Sequence, residues 1–261
     1  MPRLTQPVRY EYETLFGTCV LAPRRERLVE KLLERILAGK PRYDRVSEAT
    51  GVPWHVIAIL HSLEAGRSFD LHLHNGDPLS ARTVRAPAGR PKQGHPPFTW
   101  EASAEDALRL KRMDRWTDWS LAGTLFQLEV YNGFGYRSLK RPIPSPYLWS
   151  FSNHYTKGKF VEDGRYDPDA VSKQCGAAVL LRRMVETGMV SLAPQPTSPA
   201  AVIEYSLGRT GHAEKLQRFL NEIPGIAVKA DGVPGRRTSD AVKRVLGFRL
   251  VGDPRSESDD E

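Results

Sequence analysis

The sequence predicts a mainly α fold: a helical domain with a small β-hairpin, followed by a small three-helix C-terminal module. Three observations predict it. Apolar residues recur at helical spacing in several segments bounded by Gly or Pro; one stretch, Phe69 to Thr83, alternates instead around an Asn-Gly pair; and Ala193-Pro194-Gln195-Pro196-Thr197-Ser198-Pro199 has linker composition. The expected division is residues 1–190 for the helical domain, 191–205 for the linker, 206–250 for the module and 251–261 for an acidic disordered tail.

Leu28, Val29, Leu32, Leu33, Ile36 and Leu37 mark a first amphipathic helix, which Gly39 and Pro41 stop. A second helix runs from Tyr43 to Ala49 and ends near Gly51. Pro53 then suits the first turn of a third helix, the apolar run Trp54 to Leu63, which Glu64 ends and Gly66 closes. Phe69, Leu71 and Leu73 alternate with Asp70, His72 and His74, and Asn75-Gly76 is a strong turn signal, so a hairpin is expected over residues 69–83. Ser103-Ala104-Glu105-Asp106 reads as the capped start of a helix, Leu121 to Tyr131 as another, and Pro168 as the start of a long helix that Gly188 ends. Residues 134–167 read as a loop rich in Gly, Pro and aromatics.

At 261 residues, 40% hydrophobic and 26% charged, the chain has an ordinary globular composition, and no apolar run reaches the roughly 20 residues of a membrane span. The first residues, Met1-Pro2-Arg3-Leu4-Thr5-Gln6-Pro7, lack a secretory signal pattern, so synthesis in the cytoplasm is expected. Cys19 and Cys175 stand far apart in sequence and suggest no disulfide framework. A net charge of +7 favours a polyanionic partner, but the basic residues are dispersed and no nucleic-acid module accompanies them, which points away from nucleic acid and toward a cell wall or general solubility.

Glu64 is the leading catalytic candidate. A carboxyl group at the mouth of an apolar helix is poorly hydrated, holds its proton more tightly and can act as a general acid. Asp77 follows in the expected turn, and Thr83 lies on its second arm. Two carboxyl groups in unlike settings suit glycoside hydrolysis of the inverting kind: Glu64 protonates the leaving oxygen, Asp77 activates water and Thr83 orients it. Asp70 is the rival second carboxylate. His61, His72 and His74 lack the spacing of a metal site, so no metal and no cofactor are expected, and His74 is read as a substrate contact. Tyr147 and Trp149, in Pro144-Ser145-Pro146-Tyr147-Leu148-Trp149-Ser150, are placed in a loop and read as sugar contacts.

The order Glu64, Asp77, Thr83 resembles that of the lysozyme superfamily, specifically phage-type lysozymes and the related chitosanases. Tyr131-Asn132-Gly133 is similar to the Tyr-Asn-Ala-Gly element of lytic transglycosylases and goose-type lysozymes, with Gly133-Phe134 where Ala-Gly is usual. The resemblance implies a lysozyme-like helical domain in which Tyr131 and Asn132 lie near the acid and the sugar.

In the C-terminal region, Leu216-Gln217 on a helix, Asp231-Gly232-Val233-Pro234-Gly235 in a turn and Thr238-Ser239-Asp240-Ala241-Val242 opening a later helix resemble the peptidoglycan-binding domain of many cell-wall hydrolases. Gly232 and Gly235 suit the turn, Thr238 suits a cap, and Leu216, Phe219, Ala241, Val242 and Val245 suit a small core. The resemblance implies that Asp231, Gly232, Gly235 and Thr238 belong to a wall-binding module.

Together these resemblances imply an endolysin-like muramidase, a monomer without a cofactor, that cleaves the β-1,4 bond between N-acetylmuramic acid and N-acetylglucosamine and acts on the wall after release. Rival expectations are a chitosanase-like glycosidase, a lytic transglycosylase using Glu64 alone, and a non-catalytic wall-binding protein.

Overall fold

A computed structural model describes residues 2–162, 164–192 and 203–256. The chain divides into two compact units, residues 1–196 and 197–261. The expected linker lies largely outside the described residues.

The first unit is mainly helical. Its helices are α1 (Gln6–Gly17), α2 (Glu26–Ala38), α3 (Lys40–Thr50), α4 (Trp54–Glu64), α5 (Trp100–Leu110), α6 (Leu121–Asn132), the single turn α7 (Pro146–Trp149) and α8 (Ala177–Glu186). One antiparallel hairpin, β1 (Lys159–Glu162) and β2 (Arg165–Asp167), precedes α8. No helix among the described residues is long and apolar enough to cross a membrane.

Helix α4 is apolar on every side, so it must be surrounded. Every residue from His55 to Leu63 is buried, against α3, α6 and α8. Only its two ends, half-buried Trp54 and half-buried Glu64, reach solvent. Helix α6 is enclosed in the same way from Ala122 to Glu129. Its one buried carboxylate, Glu129, accepts hydrogen bonds from Tyr12 of α1 and from Arg137, which also pairs with Glu11. That ion network fastens α1 across the core.

Several element boundaries differ from expectation. Helix α1 was not foreseen. Its Tyr12 and Phe16 are buried, but its pattern is weak because the remaining residues are polar or half-exposed. Pro53 sits just before α4 with extended backbone angles rather than within its first turn. Helix α5 starts at Trp100, where Thr99 accepts from the Ala102 amide, and Ser103 is a buried interior residue instead of a cap. Helix α8 starts at Ala177 instead of Pro168, and Val171 is exposed. A Cβ at Gly176 would clash with the Leu148 carbonyl, so glycine lets the start of α8 press against α7.

The hairpin also lies elsewhere. Residues 69–83 make one antiparallel bridge, Leu71 with Pro78, flanked by His72 N to Asp77 O at 2.7 Å and Leu79 N to Asp70 O at 2.9 Å. A half-buried strand alternates in and out, whereas His72, Leu73 and His74 are all buried, and Pro78 supplies no amide donor. The two-stranded hairpin forms instead in the stretch read as loop, with Phe160 opposite Tyr166.

In the second unit the described residues form two α-helices, α9 (Ala213–Asn221) and α10 (Arg236–Leu246), where three were expected. Leu220, Ala241, Val242 and Leu250 make its core, with Leu216 and Val245 at the edge, while Phe219 is exposed. The chain does not become a loose tail at residue 251. Asp253 is buried, accepts from Ser239 and pairs with Arg255, closing the module through residue 256. Residues 257–261 lie outside the described residues.

Candidate active site around Glu64

Glu64 is half-buried at the end of α4, and its Oε1 accepts a 2.8 Å hydrogen bond from the Tyr147 hydroxyl. Burial raises the carboxyl pKa above its ordinary value, while the Tyr147 hydrogen bond and the Lys111 ammonium pull in the opposite direction. The balance keeps a larger share protonated near neutrality than a solvated glutamate would have. Burial and then the nearby Glu64 raise the Tyr147 phenol well above its usual range, so it stays a donor. The backbone around the acid is also pinned: Gln174 Nε2 donates to the Leu63 carbonyl at 2.9 Å, and Arg67 N donates to the His61 carbonyl at 3.1 Å.

The residues 69–83 pack directly against this helix end. Gly76, at φ +75°, brings its backbone so close to the Glu64 carbonyl that an added Cβ would stand 3.0 Å from that oxygen. Tyr131, buried on α6, donates to the Leu73 carbonyl at 2.9 Å and thereby ties the same segment to α6. Its phenol is raised well above the ordinary value by burial and by Glu64. Lys111, just past the end of α5, donates to the Tyr131 carbonyl at 3.1 Å, with its ammonium 5.0 Å from the Tyr131 ring centre. Glu64, Tyr131, Tyr147 and Lys111 thus converge from four separate elements.

Next to Tyr131, exposed Asn132 begins a cleft of about 560 Å³ whose other lining includes Gly133, Gly135, Tyr136 and Phe160. Gly133, at φ +97°, stops α6 and turns the chain along this cleft. Tyr136 and Phe160 stack edge to face, 5.0 Å between ring centres, so the hairpin forms one wall. The cleft presents backbone, an amide side chain, aromatic rings, Val161 and the carboxylate of Glu162, which pairs with Arg165.

Asp77 has a different place. It is 3% exposed, and its carboxylate accepts from Arg85 Nε at 2.9 Å, Val84 N at 2.9 Å and Asn75 Nδ2 at 3.0 Å. Opposing the cost of burial, these donors hold its carboxyl far below the usual aspartate range. Such a carboxylate organises a loop and has little basicity left for activating water. Thr83, also 3% exposed, accepts from Arg90 N at 2.9 Å and donates to the Pro87 carbonyl, so its hydroxyl is committed to the loop. Asp70 is exposed, and its carbonyl serves the single bridge.

The histidines are interior ties. His74 pairs with Asp106 at 2.8 Å, and Arg90 grips the same Asp106 at 2.7 Å, which places His74 in a support for the loop and not on a sugar-binding surface. Burial lowers its pKa, against the pull of Asp106. His72 lies 2.7 Å from the Ser103 hydroxyl, and His61 lies 2.9 Å from the Tyr43 hydroxyl, with its pKa lowered to about 4 by burial. Among the described residues no group of three or more His, Cys, Asp or Glu side chains is placed to hold a metal. Trp149, 1% exposed, is core rather than a sugar contact, whereas its neighbour Tyr147 reaches the acid.

In the second unit, Gln217 on α9 is 1% exposed and explains the motif. Its amide nitrogen donates to the Val233 carbonyl at 2.9 Å and lies within reach of Asp231 and Thr238, while its oxygen accepts from Gly232 N at 2.8 Å. Gly232 needs its left-handed φ of +77°, but Gly235 has an ordinary negative φ and occupies the position before α10. Thr238 does not cap the helix; its buried hydroxyl joins the Gln217 network. These residues shape the turn from within.

Comparison of the chain with family models, curated proteins and solved structures yields no match.

Proposed function

We propose that the first unit cleaves the β-1,4 glycosidic bond between N-acetylmuramic acid and N-acetylglucosamine in peptidoglycan, with Glu64 as the acid. The observation that carries this reading is the setting of Glu64: a carboxyl group raised by burial, oriented by Tyr147 and open to solvent at the end of the most enclosed helix. General acid catalysis needs this protonated, positioned group. The cleft that begins at Asn132 supports a saccharide substrate, because its aromatic and backbone groups suit the apolar faces and hydroxyls of sugar rings.

The engagement of Asp77 favours a one-carboxylate route over the inverting scheme. Glu64 protonates the glycosidic oxygen as the C1–O bond breaks; the resulting carboxylate then takes the proton from the 6-hydroxyl of the muramoyl residue as O6 bonds to C1. No water is consumed and the acid is regenerated. The released fragments carry a 1,6-anhydro end. Mass analysis of fragments from purified peptidoglycan tests this directly: anhydro ends support the one-carboxylate route, and free reducing ends reinstate a water-activating base. The second unit, on its resemblance to wall-binding modules and its Gln217-centred turn, is proposed to hold the enzyme on the same polymer.

A further inference from the structure

We propose that Lys111 is a substrate-binding cation that selects glycan strands bearing a carboxylate, the lactyl group of muramic acid or an acidic group of its peptide stem, beside the bond that Glu64 cleaves. This rests on the proposed action at Glu64 and adds to it a specificity-determining contact.

Three observations converge on this residue. Lys111 is exposed and makes no ion pair among the described residues, although ion pairs engage many other cations of the same unit, Arg9, Arg42, Arg90 and Arg137 among them. Its long side chain is nonetheless held: Nζ donates one hydrogen bond to the Tyr131 carbonyl at 3.1 Å and stands 5.0 Å from the centre of the Tyr131 ring. An ammonium has three donors, so this tether leaves two for a ligand. The tether also fixes the charge at the end of α6, beside Asn132 of the cleft lining and near enough to Glu64 to oppose the rise of its pKa.

The proton balance at Glu64 agrees with this. A protonated acid does not neutralise a neighbouring cation, so an anion on the substrate gains the full attraction of Lys111 in the reactive state. An uncharged glycan gains nothing from it. Carboxylate-bearing strands are therefore drawn in and uncharged ones of the same β-1,4 geometry are disfavoured, which is discrimination by one charge-assisted hydrogen bond.

The test compares wild type, Lys111→Gln and Lys111→Arg on three substrates: intact peptidoglycan, glycan strands stripped of peptide so that the lactyl carboxylate is free, and stripped strands whose carboxyl has been reduced to an alcohol. Lys111→Gln keeps a donor for the Tyr131 carbonyl and removes the charge, and thermal melting checks folding of each variant. The expected result is that Lys111→Gln lowers kcat/KM on stripped strands about tenfold, mostly through KM, and costs nothing further on reduced strands, while Lys111→Arg restores most of the loss. A loss on intact peptidoglycan alone assigns the carboxylate to the peptide stem; a loss on stripped strands assigns it to the lactyl group. An equal loss on charged and reduced strands overturns the proposal and leaves Lys111 as a structural tie for α6. A shift of the pH profile without any KM difference between substrates overturns it too, in favour of an effect on Glu64 alone. If wild type releases no glycan fragments from any of the three, the proposed activity itself fails, a result distinct from the others.

Discussion

The hydroxyl of Tyr147 points at Glu64 Oε1 from 2.8 Å, joining the end of the most buried helix to a one-turn helix 83 residues further along the chain. A donor to a carboxylate stabilises the ionised form, so this contact opposes the effect of burial. The same bond therefore orients the acid and tempers the proton affinity that burial gives it.

Tyr147→Phe removes the donor and leaves the ring. The Glu64 pKa then rises further, because burial acts with less opposition, and the alkaline limb of the rate profile for an active protonated acid moves to higher pH. The cost in stability is about 1 kcal/mol. Rate against pH for the two proteins checks the direction; an alkaline limb that moves to lower pH contradicts it.

Glu64→Gln should stabilise the fold at neutral pH. The folded pKa of Glu64 lies above its unfolded value, so the protonated group's contribution is complete below the unfolded pKa and is lost as pH rises through the folded pKa. Glutamine is neutral throughout. The melting temperature of the variant should thus match wild type in acid and exceed it at neutral pH. A gap that is widest in acid contradicts this.

Asp77→Ala should damage the loop more than the chemistry. Val84 N, Arg85 N and Asn75 lose their acceptor, at a cost of about 2–3 kcal/mol. Because the Asp77 carboxyl is depressed, its stabilising contribution is present above the ordinary aspartate pKa and is lost as pH falls through the folded value. The variant's deficit therefore shrinks in acid. Glycan cleavage per folded molecule should fall by much less than the roughly 10²–10⁴-fold typical of removing a general base.

Gln217→Ala should unfold the second unit selectively. It strips the Val233 carbonyl and Gly232 N of their buried partner, at a cost of about 2–4 kcal/mol. Loss of wall binding by the isolated variant chain, with glycan release from soluble fragments retained, is the expected pattern.

Legibility in the sequence followed the kind of interaction. Helices α2, α3, α4 and α6 were readable because each has an apolar pattern and a Gly or Pro boundary, and Glu64 was readable because it ends the most apolar of them. Helix α1 was not, since it buries little beyond Tyr12 and Phe16. The alternation from Phe69 to His74 pointed to a strand, but tertiary hydrogen bonds with the Ser103 hydroxyl and to the Asp106 carboxylate draw His72 and His74 inward together. Asp77 looked like a second catalytic group because sequence spacing cannot register the donors of Arg85 and Val84 that occupy it. Lys111 carried no local signal. Its partner Tyr131 lies twenty residues away, and only the packing of the ends of α5 and α6 brings them together.

The central claim is that Glu64 is the acid that breaks a glycan strand. Purified peptidoglycan digested by wild type and by Glu64→Gln, with released fragments identified by mass, tests it most directly. Muropeptides cut at the β-1,4 bond by wild type, and a loss of at least about a hundredfold with a folded Glu64→Gln, are predicted. Glycan cleavage that survives the substitution undiminished would contradict the account.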